Sequence, residues 1–269
     1  MIIEPKDILV LQIKYGGLGD HLFYSHIPKI AKQTKEYKYV YISNFSEYRH
    51  PDYKKIIWEL NPYVDGFVDE KGQYPEIIEL AENENLLDRI MIELGMDDHK
   101  RFHEPELYYT PKVLAEYKNI NVFDPNFVSY VGTIEYGDKS ITKWFKTNDI
   151  KINYQMKLRE RNLRIVNFNR FIDTPSLEDF CNLIVSCNKL YCLTSGTATL
   201  AAALGKNVVA FYAEGQNLMF HHSKLHRYIK IESYQFSFYE KQIRTLKDMM
   251  LAVLKKMRHN FLTQSQNTN

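Results

Sequence analysis

A chain of 269 residues is long enough to bury a large core, either as one large domain or as two lobes of about 120 residues each. Its 45% hydrophobic and 25% charged content is that of a soluble globular protein and excludes disordered or fibrous classes. With 35 basic against 33 acidic side chains the net charge is +2, too weak a field to grip a nucleic-acid backbone, so nucleic acid is not an expected partner.

Residues 8–13 are a nearly continuous apolar run with β-branched members, the pattern of a strand buried on both faces of a parallel sheet. The run ends in Gly16-Gly17-Leu18-Gly19, after which Leu22, Phe23, His26, Ile27, Ile30 and Ala31 recur at helical spacing. Residues 39–43 supply a second strand and 53–60 a second helix, with Asp52 placed to cap it. Val64, Phe67 and Val68 predict a short third strand. A helix is expected from Pro75 through Ile78, Leu86, Ile90 and Leu94 to a stop at Gly95. Residues 105–124 carry no clean period after Leu107-Tyr108-Tyr109 and read as a crossing between lobes.

The alternation then restarts, with strands at 127–133, 163–168, 189–193 and 208–212 and helices at 176–186 and 197–204. The expected division is an N-terminal α/β domain over 1–120, a second over 121–240, and a terminal segment over 241–269. Within 240–257, Ile243, Leu246, Met249, Met250 and Val253 line one helical face and basic residues the other. Such a helix packs against a domain with its charged face in water, or rests that face on an anionic bilayer. Cys181, Cys187 and Cys192 lack the paired spacing of zinc or redox sites and read as reduced core residues. No basic stretch followed by an apolar one precedes the first strand, and no apolar run reaches the roughly 20 residues of a membrane span. The expectation is cytoplasmic, with contact at the inner membrane face open to the basic helix.

Two segments carry chemistry. Gly16, Gly17 and Gly19 sit where a buried strand turns into a helix, so a ligand can approach the backbone and the helix start offers unpaired N–H groups to an acceptor or phosphate. The dinucleotide fingerprint fails, because Leu22 stands where its third glycine belongs and no acid closes the 39–43 strand. Asp20 is a candidate general base for an acceptor hydroxyl; it reads equally as a helix cap. The second segment, Thr194-Ser195-Gly196-Thr197, joins a strand to a helix of small residues and reads as a second anion-ready helix start or as an ordinary turn. The two turns, at 16–20 and 194–197, are expected to face each other over a shared crevice wide enough for a sugar diphosphate. Glu214 could face a donor sugar or ribose, or be an exposed loop acid. His221, His222 and His226 form a cluster without metal-site spacing, read as polar surface or a donor-proximal loop, and no metal is expected.

Residues 8–31 with Gly19-Asp20 and Pro28, Asn61-Pro62-Tyr63-Val64-Asp65, Glu106-Leu107-Tyr108-Tyr109, and 177–212 together resemble the bacterial heptosyltransferases (glycosyltransferase family 9), in that family's order and over about half the chain. The resemblance implies a GT-B arrangement of two Rossmann-like domains facing across a cleft. It also implies inverting, metal- and cofactor-independent transfer from a nucleotide-sugar donor to a glycan or lipid-linked glycan acceptor in surface polysaccharide or lipopolysaccharide synthesis. Asp20 matches the acid near the acceptor, Ser195 and Gly196 the phosphate-facing pair, flanked by Thr194 and Thr197. Lys143 before Trp144 matches a lysine that neutralises donor phosphate, with Lys139 as fallback; Lys143 reads equally as a surface lysine. The family's acid before Ser-Gly is Thr194 here and its histidine three residues after the glycine is Thr199. These losses leave open a degenerate member that binds a nucleotide sugar or glycan without transferring it. Gly-Gly-Leu-Gly-Asp-His-Leu-Phe also resembles the start of fucosyltransferases that use GDP-fucose, but their paired-arginine motif is missing.

Overall fold

Side chains on a strand alternate between its two faces, and in this chain that alternation decides how each sheet is covered. The computed structural model describes residues 7–80, 84–126, 137–157 and 170–231. These described residues belong to one compact unit that contains two separate sheets. The first is parallel, in the order β1 (Ile8–Leu11), β2 (Tyr39–Ser43), β3 (Gly66–Val68), with Leu9 opposite Val40 and Leu11 opposite Ile42. These four side chains are fully buried.

Between β1 and β2 the expected single helix is two, α1 (Leu18–Phe23) and α2 (Ile27–Thr34). Pro28 is the reason: it has no N–H for the carbonyl four residues back, and it sits where a helix start tolerates it. After β2 comes α3 (Pro51–Tyr53), which widens into a π-helical stretch over Lys54–Glu59. Its cap is His50, whose Nδ1 accepts the Asp52 N–H at 3.2 Å. Asp52 does not cap its own helix; its carboxylate accepts the N–H of Leu177, 2.9 Å away in the other lobe.

The helix expected from Pro75 begins only at Leu86, as α4 (Leu86–Glu93). Asn85 fixes that start: its Oδ1 accepts the Asp88 N–H at 2.8 Å while the Asp88 carboxylate accepts the Asn85 N–H at 3.2 Å. The segment around Gln73 instead pairs with the outer edge of β1, through Gln12 N–H to Gln73 O at 3.0 Å and Gln73 N–H to Val10 O at 2.7 Å.

The second sheet has six parallel strands in the order β6-β5-β4-β7-β8-β9: β4 (Asn121–Asp124), β5 (Tyr154–Met156), β6 (Phe171–Ile172), β7 (Lys189–Leu193), β8 (Val208–Ala213) and β9 (Arg227–Ile231). On one face Val122, Leu190, Cys192, Val208 and Ala210 join the core beneath α6 (Leu177–Ser186) and α7 (Gly196–Ala203), and this core runs on into the first lobe. On the other, Phe123, Tyr191, Leu193, Phe211 and Ala213 pack with Ile141 and Phe145 of α5 (Gly137–Thr147). Trp144, beside Lys143, lies edge-on to Phe211 at 5.1 Å.

Two strands depart from expectation. β4 lies inside the stretch read as a crossing, because only Val122 to Asp124 is buried and four residues are too few to show a period. β9 follows the last expected strand and buries only Ile231, as befits a sheet edge. The strands expected at 127–133 and 163–168 and the terminal helix over 240–257 fall outside the described residues. Among the described residues no helix is long and apolar enough to cross a membrane.

Strand order locates the ligand-competent edge. In the six-stranded sheet the chain runs outward from β4 to β6, then returns to lay β7 on the other side of β4. The carboxyl ends of β4 and β7 therefore flank a topological switch point, where connections leave in opposite directions and open a crevice. In the first sheet β1 lies between β2 and the Gln73 segment, so its carboxyl end is a second such point.

Gly72 holds that second point together. A Cβ there would fall 2.7 Å from the nitrogen of Gln12, the carbonyl carbon of Leu11 and the oxygen of Val10, all backbone. We predict that Gly72→Ala destabilises the protein by about 1–3 kcal/mol, read from urea unfolding midpoints, because β1 cannot yield without losing its pairing.

Candidate active site at the two switch points

The starts of α1 and α7 meet. A Cβ added at Gly196 would lie 2.9 Å from the Gly19 nitrogen, so the two backbones touch where neither residue has a side chain. The turns at 16–20 and 194–197 therefore do not stand apart across open space. They abut at one point, and a cavity of about 410 Å³ opens beside the contact. Residues 17–20 and Arg49 line it from the first lobe, and Asp124, residues 194–197 and His222 from the second.

On the first-lobe side Gly17 is the N-cap of α1, and the Asp20 carboxylate accepts its N–H at 3.1 Å. Burial raises the Asp20 pKa above the ordinary carboxylate value, an effect the Gly17 N–H and the Arg49 charge partly offset. Arg49 is held nearby because its N–H donates to the Gly16 carbonyl at 2.9 Å. His21, next in sequence to Asp20, is fully committed to the core. Trp58 Nε1–H donates to its Nδ1 at 2.9 Å, so Nε2 carries the proton and donates to the Glu47 carbonyl at 2.8 Å. Burial depresses its pKa to about 4.

On the second-lobe side Ser195 is the N-cap of α7, and its Oγ is buried without a hydrogen-bond partner. The Thr197 hydroxyl donates to Asp124 at 2.5 Å, and Asp124 also accepts the Asn126 N–H at 2.9 Å. Thr194 donates to Gln216 at 2.5 Å. The first N–H groups of an eight-residue helix thus open on the cavity beside an unsatisfied hydroxyl, an arrangement that favours an anion.

Asp20, Gly17, Gly19, Thr194, Ser195, Gly196 and Thr197 all line the cavity, whereas Gly16 is buried and does not line it. Lys143 is exposed on α5, away from the cavity wall, and Lys139 of the same helix does not line it either. Glu214 is exposed and pairs with Lys230 at 3.6 Å, also off the wall. The histidine cluster is neither helical nor superficial: His222 and His226 are buried. His226 Nε2 bonds to the Ala198 carbonyl at 2.8 Å, and His221 stacks on Tyr228 with centroids 4.1 Å apart. Among the described residues no three His, Cys, Asp or Glu side chains converge as a metal site.

Sequence reasoning missed Arg49, Asp124 and the Lys157–Asp173 ion pair at 2.8 Å, all on the wall, where His222 of the expected donor-proximal loop also stands. Asp124 ends a strand too short to show a period, and Arg49 carries no signal of its own.

No family model and no curated protein matches the chain. Among solved structures it is similar to a family 9 glycosyl transferase from Veillonella parvula DSM 2008, with TM-score 0.54 and 12% identity over 92% of this chain and 90% of that one. It is also similar to Escherichia coli ADP-heptose lipopolysaccharide heptosyltransferase II, with TM-score 0.54 and 14% identity over 83% of this chain and 90% of that one. A third is the iron-containing dodecameric glycosyltransferase TibC from enterotoxigenic E. coli H10407, with TM-score 0.51 and 13% identity over 78% of this chain and 59% of that one. The fold is GT-B-like. It has two parallel α/β sheets, as the resemblance in sequence implied, and their helix starts touch at Gly19 and Gly196.

The buried histidines give the fold a pH dependence. Burial depresses His21 to about 4 and His26 and His222 to about 3, against 6.5 in the unfolded chain. Above the unfolded value all three are neutral in both states. Below it the unfolded chain takes up protons that the folded one refuses, so stability falls with pH from about 6.5 down toward 4. Urea midpoints should drop between about pH 7 and pH 5, with the ring protons of these histidines not titrating in that range.

Proposed function

We propose that this chain is a glycosyltransferase that moves a sugar, heptose or a relative, from a nucleotide-sugar donor to a glycan or lipid-linked glycan acceptor of the lipopolysaccharide or surface-polysaccharide kind. The observation that carries the reading is the joining of Asp20 and the Ser195-Gly196 helix start in one cavity. An anion site next to a half-buried carboxylate is what transfer from a diphosphate leaving group to a hydroxyl requires. The names of the structural neighbours, ADP-heptose heptosyltransferases among them, agree with that chemistry.

In this reading the donor diphosphate lies against the N–H groups at the start of α7 with Ser195 Oγ, and its charge is stabilised there as the bond to the sugar breaks. Oδ2 of Asp20 stays on the Gly17 N–H, which fixes the carboxylate, while Oδ1 takes the proton of the acceptor hydroxyl. A raised pKa makes Asp20 a better base at neutral pH than an exposed carboxylate. Attack opposite the leaving group inverts the anomeric centre, and charge stabilisation by backbone and Arg49 requires no metal ion. The two-lobe division near residue 120, with the donor on the second lobe, and a bilayer contact by the basic segment after residue 240 belong to the same proposal.

A second reading has its own support. Thr194 and Thr199 lack the ionisable groups of the resembled family, and Lys143 stands off the wall; a chain that binds nucleotide sugar without transferring it would look the same. The transferase reading predicts that one of the UDP-, GDP-, ADP- or CMP-sugars raises the melting temperature and is consumed. Asp20→Asn should lower kcat by about 100- to 10,000-fold while donor affinity stays within a few-fold. Unchanged turnover in the variant removes Asp20 from the mechanism, and binding without transfer or donor hydrolysis in wild type selects the second reading.

A further inference from the structure

His222 is a buried polar side chain of the cavity wall that the scheme above leaves unused. It is 2% exposed, lines the cavity, and follows β8 on the loop of residues 214–226. Its Nδ1 lies 3.2 Å from the Phe220 carbonyl. A carbonyl only accepts, so Nδ1 carries the proton. The second nitrogen, Nε2, is buried and has no hydrogen-bond partner. Burial and the neighbouring His226 depress the ring to a pKa of about 3, so it is neutral at physiological pH and Nε2 offers a lone pair. A neutral acceptor does not bind phosphate; its complement is a hydroxyl.

Its place says which hydroxyl. The ring packs edge-on against Phe23, centroids 5.3 Å apart, and Phe23 lies one helical turn beyond Asp20 on the same face of α1. The His222 carbonyl is held from the first lobe by Asn85 Nδ2 at 2.8 Å. His222 therefore lines the same cavity as the proposed base and the proposed diphosphate site, packed against the helix that carries the base.

We propose that His222 is a specificity-determining residue whose Nε2 accepts a hydrogen bond from a hydroxyl of the transferred sugar. The inference rests on the transferase reading for its ligand. It assigns the sugar contact to a histidine on the β8 loop, while the Thr199 hydroxyl is directed to the Ser195 carbonyl at 3.5 Å.

The test compares the nucleotide sugar that most stabilises the wild-type protein with its matching nucleoside diphosphate, by calorimetric titration. His222→Phe, which keeps the packing on Phe23 and removes the acceptor, should weaken the nucleotide sugar roughly tenfold and leave the diphosphate within twofold. His222→Gln, whose amide supplies both a donor for Phe220 and an acceptor, should restore most of the loss. In wild-type protein with nitrogen-labelled histidine, the Nε2 resonance should shift on adding the nucleotide sugar and hold still on adding the diphosphate. This measurement stands even where a variant fails to fold. Equal weakening of both ligands, or no weakening with a silent Nε2 resonance, overturns this inference and leaves the transferase reading in place. Wild-type protein that binds neither ligand overturns both.

Discussion

Two helix starts from two different sheets touch at Gly19 and Gly196, and the architecture depends on that contact. Each helix begins at a switch point of its own sheet, so bringing the starts together superimposes the two places where an open α/β sheet can hold a ligand. The contact also gathers the positive ends of two helices in one spot, which is unfavourable without compensation. Part of the compensation is internal: Asp20 takes the Gly17 N–H, and Asp124 takes the Thr197 hydroxyl. The rest, at the start of α7, is the place the proposed reading gives to the donor diphosphate.

Two histidines near this point show how environment divides roles between identical side chains. His21 and His222 are both buried and both neutral. Trp58 and Glu47 occupy both nitrogens of His21, which makes it a structural cross-link from α1 to the loop and the π-helical stretch after β2. Phe220 occupies only one nitrogen of His222. Burial alone does not separate the two; the count of satisfied nitrogens does.

Much of the frame was legible in the sequence because parallel strands buried on both faces write themselves as apolar runs. Tyr39–Ser43 and Lys189–Leu193 match the expected strands residue for residue, and both glycine turns fall where a strand gives way to a helix. What failed was local. Pro75 looked like a helix start, but the capping box of Asn85 and Asp88 sets the boundary eleven residues later. Asp52 looked like a cap for its own helix and serves another. β4 is too short for a period, so Asp124 went unseen as the end of a strand. Arg49 and His222 reach the cavity through tertiary packing, which no spacing in the chain encodes.

The reach of Asp52 across the lobes bears on how such a molecule can be rebuilt. The first N–H of α6 finds its acceptor in the other lobe, and the backbone of the His222 loop is anchored from there too, by Asn85. The second half does not carry all the partners its own helices and loops need. Grafting a foreign second half onto this first half, as one would to exchange donor preference, would strand an acid at one seam and an amide at the other. A working hybrid would have to transplant Asp52 with Leu177, and Asn85 with the loop around His222, as matched pairs.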